Sequence, residues 1–175
     1  MSESAPSSAA LPIAHVVLRI LIVLNWLGGA MILALLLVSP NERWIMSAFD
    51  LSPSPEAERL IMALRVIAVI GLAVVPLNDA ALKRLLAIVE TVRAGDPFVA
   101  ANAERLQAIA WLMLVLQVLS IVIGAIARSV STPAHPLDVD AGFSINGWLA
   151  VLLTFLLARV FAAGTLMRDD LEGTV

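Results

Sequence analysis

The chain has 175 residues, 61% hydrophobic and 14% charged, with 11 Lys and Arg against 14 Asp and Glu for a net charge of −3. A soluble domain carries about 25% charged residues to cover its surface. With a mean hydropathy of +0.97, this composition excludes an ordinary soluble enzyme, a disordered regulator and a direct nucleic-acid binder, and identifies an integral membrane protein. The absence of cysteine excludes disulfides, thiolate zinc sites and iron–sulfur clusters.

Residues 1–10 are rich in Ser and Ala and are expected to form a disordered tail; residues 11–175 read as a single membrane domain. A membrane helix needs about 20 mostly apolar residues. The first such run, Ile20–Val38, is interrupted only by Asn25 and belongs to a span of about 14–38. No basic residue precedes Arg19 and no A-x-A site follows the run, so it reads as a retained anchor rather than a signal peptide. The segment Pro40–Glu58 holds Trp44, Ile45, Phe49 and Leu51, which suit either the outer headgroup layer or a plain surface loop. The second run, Leu60–Leu77, carries only Arg65 and predicts a span of about 59–77.

From Ala80 to Ala94 the pattern changes. Leu82, Leu85, Leu86, Val89 and Val92 form one helical stripe, with Lys83, Arg84, Glu90 and Arg93 mostly off it. Span two is therefore expected to continue into an amphipathic helix, with a kink at Pro76 and a stop at Gly95. Asp96-Pro97 reads as the start of the next helix, a cap followed by proline. The third run, Leu106–Ala127, has no charge but contains Gln107, Gln117 and Ser120. Ser120-x-x-x-Gly124 is a small-xxx-small pattern, and Gly28, Gly29 and Gly71 offer further points of close approach, within the bundle or between copies. The fourth run, Gly147–Met167, holds a single charge at Arg159, and the predicted spans are about 106–127 and 147–167. The expected fold is all-α: an integral membrane four-helix bundle with an amphipathic cytoplasmic helix between spans two and three.

Basic residues favour cytoplasmic segments. Lys83, Arg84, Arg93 and Arg105 lie between spans two and three, with Arg19 and Arg168 on the same side, against Arg43, Arg59 and Arg128 on the other. Both termini and the connection between spans two and three are thus expected in the cytoplasm. Trp44, Trp111 and Trp148 fall near span ends, where interfacial aromatics belong, whereas Trp26 lies mid-span and reads as a packing residue.

Conventional site chemistry is sparse. His15 and His135 are expected on opposite faces of the membrane and cannot share a metal; HPLDVD, with His135, Asp138 and Asp140, reads as an ordinary polar loop before it reads as a metal site. Intramembrane polar groups are functional candidates by default, and here they are Asn25, Arg65 and Arg159. Arginine does not titrate, so a proton relay is not expected. Arg159 is expected to reach Asn25, Asn78 or Asp79 as a structural cation, or to meet an anionic ligand or lipid headgroup. No nucleotide loop, nucleophile elbow or metalloprotease pattern is present, so no catalytic residue, cofactor or metal is assigned and the chain is expected to be a non-enzyme.

Gly95-Asp96-Pro97-Phe98, Asn102 and Arg105-Leu106 follow the pattern G-x-P-F-x3-N-x2-R-L. Phe161-x-x-Gly164-x-Leu166, leading through acidic residues to Thr174-Val175, looks like its companion. From span one to the end, the chain resembles a bacterial family of small four-span inner-membrane proteins catalogued as a domain of unknown function. Its members are often encoded beside a Cro/repressor-type helix-turn-helix regulator. The resemblance implies a membrane regulator or anchor for such a cytosolic partner; Lys83, Arg84 and Arg93 on the amphipathic helix and Phe98, Asn102 and Arg105 at its turn are the candidate partner-binding residues, the other reading of the stripe being the inner leaflet or the base of the bundle. Phe98 is read as an interfacial anchor, Asn102 and Arg105, three apart on one helical face, as a tie from the turn to neighbouring cytoplasmic groups, and the acidic tail (Asp169, Asp170, Glu172) as a cap over Lys83, Arg84 or Arg93. Arg65 is not a feature of the family and takes no role from it. The alternative is a small transporter or lipid-binding accessory subunit, and homo-oligomers remain open.

Overall fold

The computed structural model describes residues 10–41, 46–47, 52–132, 137 and 139–172, with the backbone alone for residue 10 and residues 168–172. The tail 1–9 and Trp44, Ile45, Phe49, Leu51, His135 and Asp138 lie outside the described residues. Four long helices account for nearly all of the rest: α1 (Ala10–Val38), α2 (Pro55–Arg93), α3 (Ala100–Val130) and α4 (Ile145–Glu172). Each is long and apolar enough to cross a membrane, and there is no strand among the described residues. The protein is an all-α, multi-pass membrane protein.

Local chemistry sets the helix ends. Ser54 accepts a hydrogen bond from the Ala57 amide, Pro55 occupies the first turn, and Glu56 and Glu58 favour the positive end of the α2 dipole. α2 runs through Pro76 as one element of 39 residues, about 58 Å at 1.5 Å per residue. The expected stop at Gly95 is formed. Gly95 has φ +88, its amide bonds the Val92 carbonyl, and the Asp96 amide bonds the Thr91 carbonyl. These two bonds make a Schellman motif. The expected start at Asp96-Pro97 is not formed: residues 96–99 stay irregular and α3 begins at Ala100, with Val99 at its cap position. The reason lies in Asn102, which takes the Pro97 carbonyl as an acceptor and holds it away from helical pairing.

The helices alternate in direction, and the extensive contacts are between sequence neighbours: α1 with α2, α2 with α3, and α3 with α4. The start of α1 and the end of α4 therefore lie toward the α2–α3 turn, hereafter the turn end. Ile88, Leu106, Ile109 and Ala158 form one buried cluster near that end, joined by Val92, Met113 and Phe161. A second cluster, Ala57 and Leu60 with Leu64, Val130 and Leu137, lies at the opposite, loop end. Outward faces remain apolar, as Leu24, Met31, Leu152 and Leu156 illustrate; a helix that is apolar all round suits hydrocarbon as its solvent.

The register of α4 is the least expected feature. Its first turn meets the middle of α3: Gln117 donates to the Ser144 carbonyl at 3.3 Å, and a Cβ on Gly147 would lie 2.5 Å from Gln117 Oε1. Further along, Trp111 packs edge-on against Phe155 at 5.3 Å. Gln117 is about 20 Å short of the α3 terminus at Val130. The connection after α3 thus turns back along that helix before α4 begins.

Candidate functional site

Two regions concentrate the polar chemistry. At the turn end, Asn102 is fully buried and saturated. Its Nδ2 donates to Thr91 Oγ1 at 2.7 Å and to the Pro97 carbonyl at 2.9 Å, and its Oδ1 accepts from Arg105 Nη1 at 2.8 Å. Thr91 in turn donates to the Ile88 carbonyl. One side chain therefore ties the end of α2, the irregular turn and the first turns of α3. Such networks stabilise when every member is satisfied.

Phe98 leaves this turn and crosses to α4. Its ring lies 5.4 Å from that of Phe161, and a Cβ on Gly164 would come within 3.1 Å of Phe98 Cδ1. Gly164 is small because the Phe98 ring lies over it. The two sequence motifs, more than sixty positions apart, are the two sides of one contact. A model of the family described as protein of unknown function (DUF2975) matches residues 40–175, the range that contains both. The chain belongs to this family. The match begins at Pro40, so α1 lies before it. No curated protein and no solved structure matches the chain.

The candidate partner-binding residues divide by exposure. Lys83, Arg93 and Phe98 are exposed, whereas Arg84 and Arg105 are half-buried and Asn102 offers no surface at all. Lys83 pairs with Asp79 at 2.8 Å, and Arg84 donates to the Ala80 carbonyl one turn back. The apolar stripe of α2 is mostly covered within the molecule: Leu82, Leu86, Val89 and Val92 are half-buried, and only Leu85 is exposed. Side chains of the acidic tail lie outside the described residues.

The intramembrane polar residues also separate. Asn25 donates to the Val75 carbonyl at 2.9 Å, and the neighbouring Trp26 donates to Asp79 at 3.0 Å, so both pin α1 to α2. Gly29 permits this approach, since a Cβ there would lie 2.9 Å from Val75 Cγ2. Near the same α1–α2 seam, His15 lies 3.5 Å from Glu90. Arg159 is exposed on α4. The expected contact with Asn25, Asn78 or Asp79 is not formed, because α4 packs extensively on α3 alone and Arg159 faces outward, away from α1 and α2.

The second region lies toward the loop end. Arg65 Nη2 donates to the Ser39 carbonyl at 2.6 Å, where α1 ends. Beside it, α1, α2 and α3 part to leave a cavity of about 650 Å³, closed on one side by Val139, Asp140 and Ala141. Eight α2 residues line it, and six of them (Ile61, Arg65, Ala68, Gly71, Val74 and Asn78) follow one helical face.

The closing segment is irregular backbone packed against membrane-helix side chains, and it needs partners there. Ser120 supplies them. Its Oγ accepts from the Gly142 amide at 3.1 Å and lies 3.4 Å from the Gly142 carbonyl as a donor. Gly124 makes the approach possible: a Cβ there would stand 2.5 Å from the Ala141 carbonyl oxygen and 2.8 Å from Gly142 Cα. Ser144 then caps α4 by accepting from the Gly147 amide. The small-xxx-small pattern of α3 thus receives a loop of the same chain. Sequence reasoning missed this segment, although Gln117, Ser120 and Gly124 fall at i, i+3 and i+7 on one face within the uncharged run Leu106–Ala127.

Proposed function

We propose that the chain is a non-enzymatic regulator or membrane anchor of the bacterial inner membrane, with its turn end in the cytoplasm holding a soluble partner. The observation that carries the reading is the rigid end of α2. This helix continues well past its apolar run, is locked by the Asn102 network, and presents Lys83, Leu85 and Arg93 outward. The cytoplasmic placement follows the excess of basic residues at this end. The family resemblance adds the kind of partner, a small helix-turn-helix regulator.

The test is in-cell crosslinking and affinity purification of the full chain from native membranes, comparing wild type with Leu85→Glu/Arg93→Glu. Both side chains are exposed, so the variant is expected to fold. A DNA-binding protein recovered with wild type and lost with the variant is the expected result; equal recovery from both removes this end as the dock. Reporter fusions at the two termini are expected to report the cytoplasm, and a periplasmic signal from either overturns the orientation. A second reading, a lipid-binding accessory subunit, is favoured by the cavity between α1, α2 and α3.

A further inference from the structure

The cavity is elongated along α2. From Arg65 to Asn78 it covers about 20 Å at 1.5 Å per residue, slightly more than one leaflet of hydrocarbon, about 15 Å. Apolar side chains from three helices wall it, including Leu36, Ile67, Leu116 and Ile123. Its charged groups, Arg65 and Asp140, are on the loop-end side with Ser39, and Asn78 marks the far end. An apolar space of this kind does not stabilise water, which needs several polar partners. Charge at one end and a mostly apolar length are the complement of an amphiphile lying parallel to the helices. Two opposite charges at the polar end complement a zwitterionic headgroup.

We propose that this slot holds one acyl chain of a bilayer phospholipid, with its headgroup at the level of Ser39, Arg65 and Asp140. The segment 139–141 closes the slot from the side and, because Ser120 and Gly124 fix the residues just after it, positions Asp140 beside the headgroup. Gly71 and Ala68 keep the middle of the slot open. A Cβ on Gly71 would meet only Ile32 Cδ1, at 3.5 Å, so a larger side chain there has room to grow into the space the acyl chain occupies. The assignment deepens the lipid-binding reading, on which it rests, and is independent of the soluble-partner reading.

The test uses the full chain in vesicles of phosphatidylethanolamine and phosphatidylglycerol that contain a trace of phosphatidylethanolamine with a photoactivatable acyl chain. Labelled positions are mapped by peptide mass spectrometry, and native mass spectrometry counts phospholipid kept after mild detergent. Wild type is expected to be labelled more heavily at Leu36, Leu116 and Ile123 than at the bilayer-facing Leu24, Leu152 and Leu156, and to retain phospholipid. Ala68→Phe, with Gly71→Leu as a second filling variant, is expected to lose the slot label and the retained lipid while keeping the outer label. Equal labelling of slot and outer faces in wild type overturns the proposal, and this comparison needs no variant to fold. Undiminished slot labelling in both folded variants overturns it as well. Retained phospholipid without slot labelling rejects the slot but leaves the lipid-binding reading standing; loss of both rejects both. Crosslinks between copies through the slot-lining residues reject a lipid in favour of a second chain.

Discussion

The two ends of the molecule solve the same problem in opposite ways. At the turn end, polar groups close in space are also close in sequence: Thr91, Pro97, Asn102 and Arg105 satisfy one another within a few residues, and the aromatic pair Phe98–Phe161 adds α4. Toward the loop end, Gln117 and Ser120 reach to residues far along the chain and serve backbone rather than side chains, and Ser120 lines an open slot. A locally satisfied network makes a rigid platform. A network spent on an irregular segment leaves room between helices, and room inside a membrane protein is where a ligand enters.

The largest expected effect is at the turn end. Asn102→Leu leaves Thr91, the Pro97 carbonyl and Arg105 without their buried partner, and is expected to destabilise by about 3 kcal/mol; thermal unfolding of the purified protein in detergent measures it. Thr91→Val removes one arm of the same network and is expected to cost about 1 kcal/mol. An Asn102→Leu protein as stable as wild type removes the basis for calling this end rigid.

Gly124→Ala is the matching break at the loop end. Its Cβ meets backbone, which cannot rotate away, so a loss of about 2 kcal/mol is expected by overpacking. Faster hydrogen exchange confined to residues 139–144 is the expected readout. Gly28→Ala on α1 is the control, since a Cβ there meets nothing within 4 Å and the change is expected to be neutral or to stabilise by up to about 1 kcal/mol through helix propensity.

A smaller effect sharpens the link between the motifs. Gly164→Ala presses on the Phe98 ring and is expected to cost about 1 kcal/mol. Phe98→Ala loses the aromatic contact, worth about 1 kcal/mol. The double variant is expected to be more stable than the sum of the two losses predicts, because removing the ring removes the collision. Strict additivity in this double-mutant cycle places the two side chains apart. The smallest effect is expected at Gln117→Leu, about 0.6 kcal/mol for one hydrogen bond between membrane-embedded groups.

Much of the architecture is legible from local pattern. The spans, the continuation of α2 beyond its apolar run and the stop at Gly95 follow from residues within a turn or two of each feature, because backbone pairing and hydrocarbon solvation act at that range. The motif residues Phe98, Asn102 and Gly164 are conspicuous in the sequence, but the partners they meet are not. Asn102 and Arg105, three apart on one helical face, point to a tie between the turn and its neighbours, but the acceptors Thr91 and Pro97 are set by the fold, and Phe98 looks like an interfacial anchor until Gly164 lies beneath it. The stripe from Leu82 to Val92 suits either a docking face or the base of the bundle, and most of it packs within the molecule.

What the sequence by itself determined is the solvent and the local stops: a chain of four membrane-competent helices, broken where Gly95 and Ser54 satisfy helix ends. What only the tertiary structure decided is register. α4 begins beside Gln117 rather than at the end of α3, Arg159 faces outward rather than toward Asn25, and α1, α2 and α3 part around a slot. In water, burial of an apolar face selects which sides of two helices meet. In a membrane every face is apolar, so that signal is lost. The choice passes to small residues and hydrogen bonds such as those of Gly124, Ser120 and Asn25, whose partners lie far away in the chain.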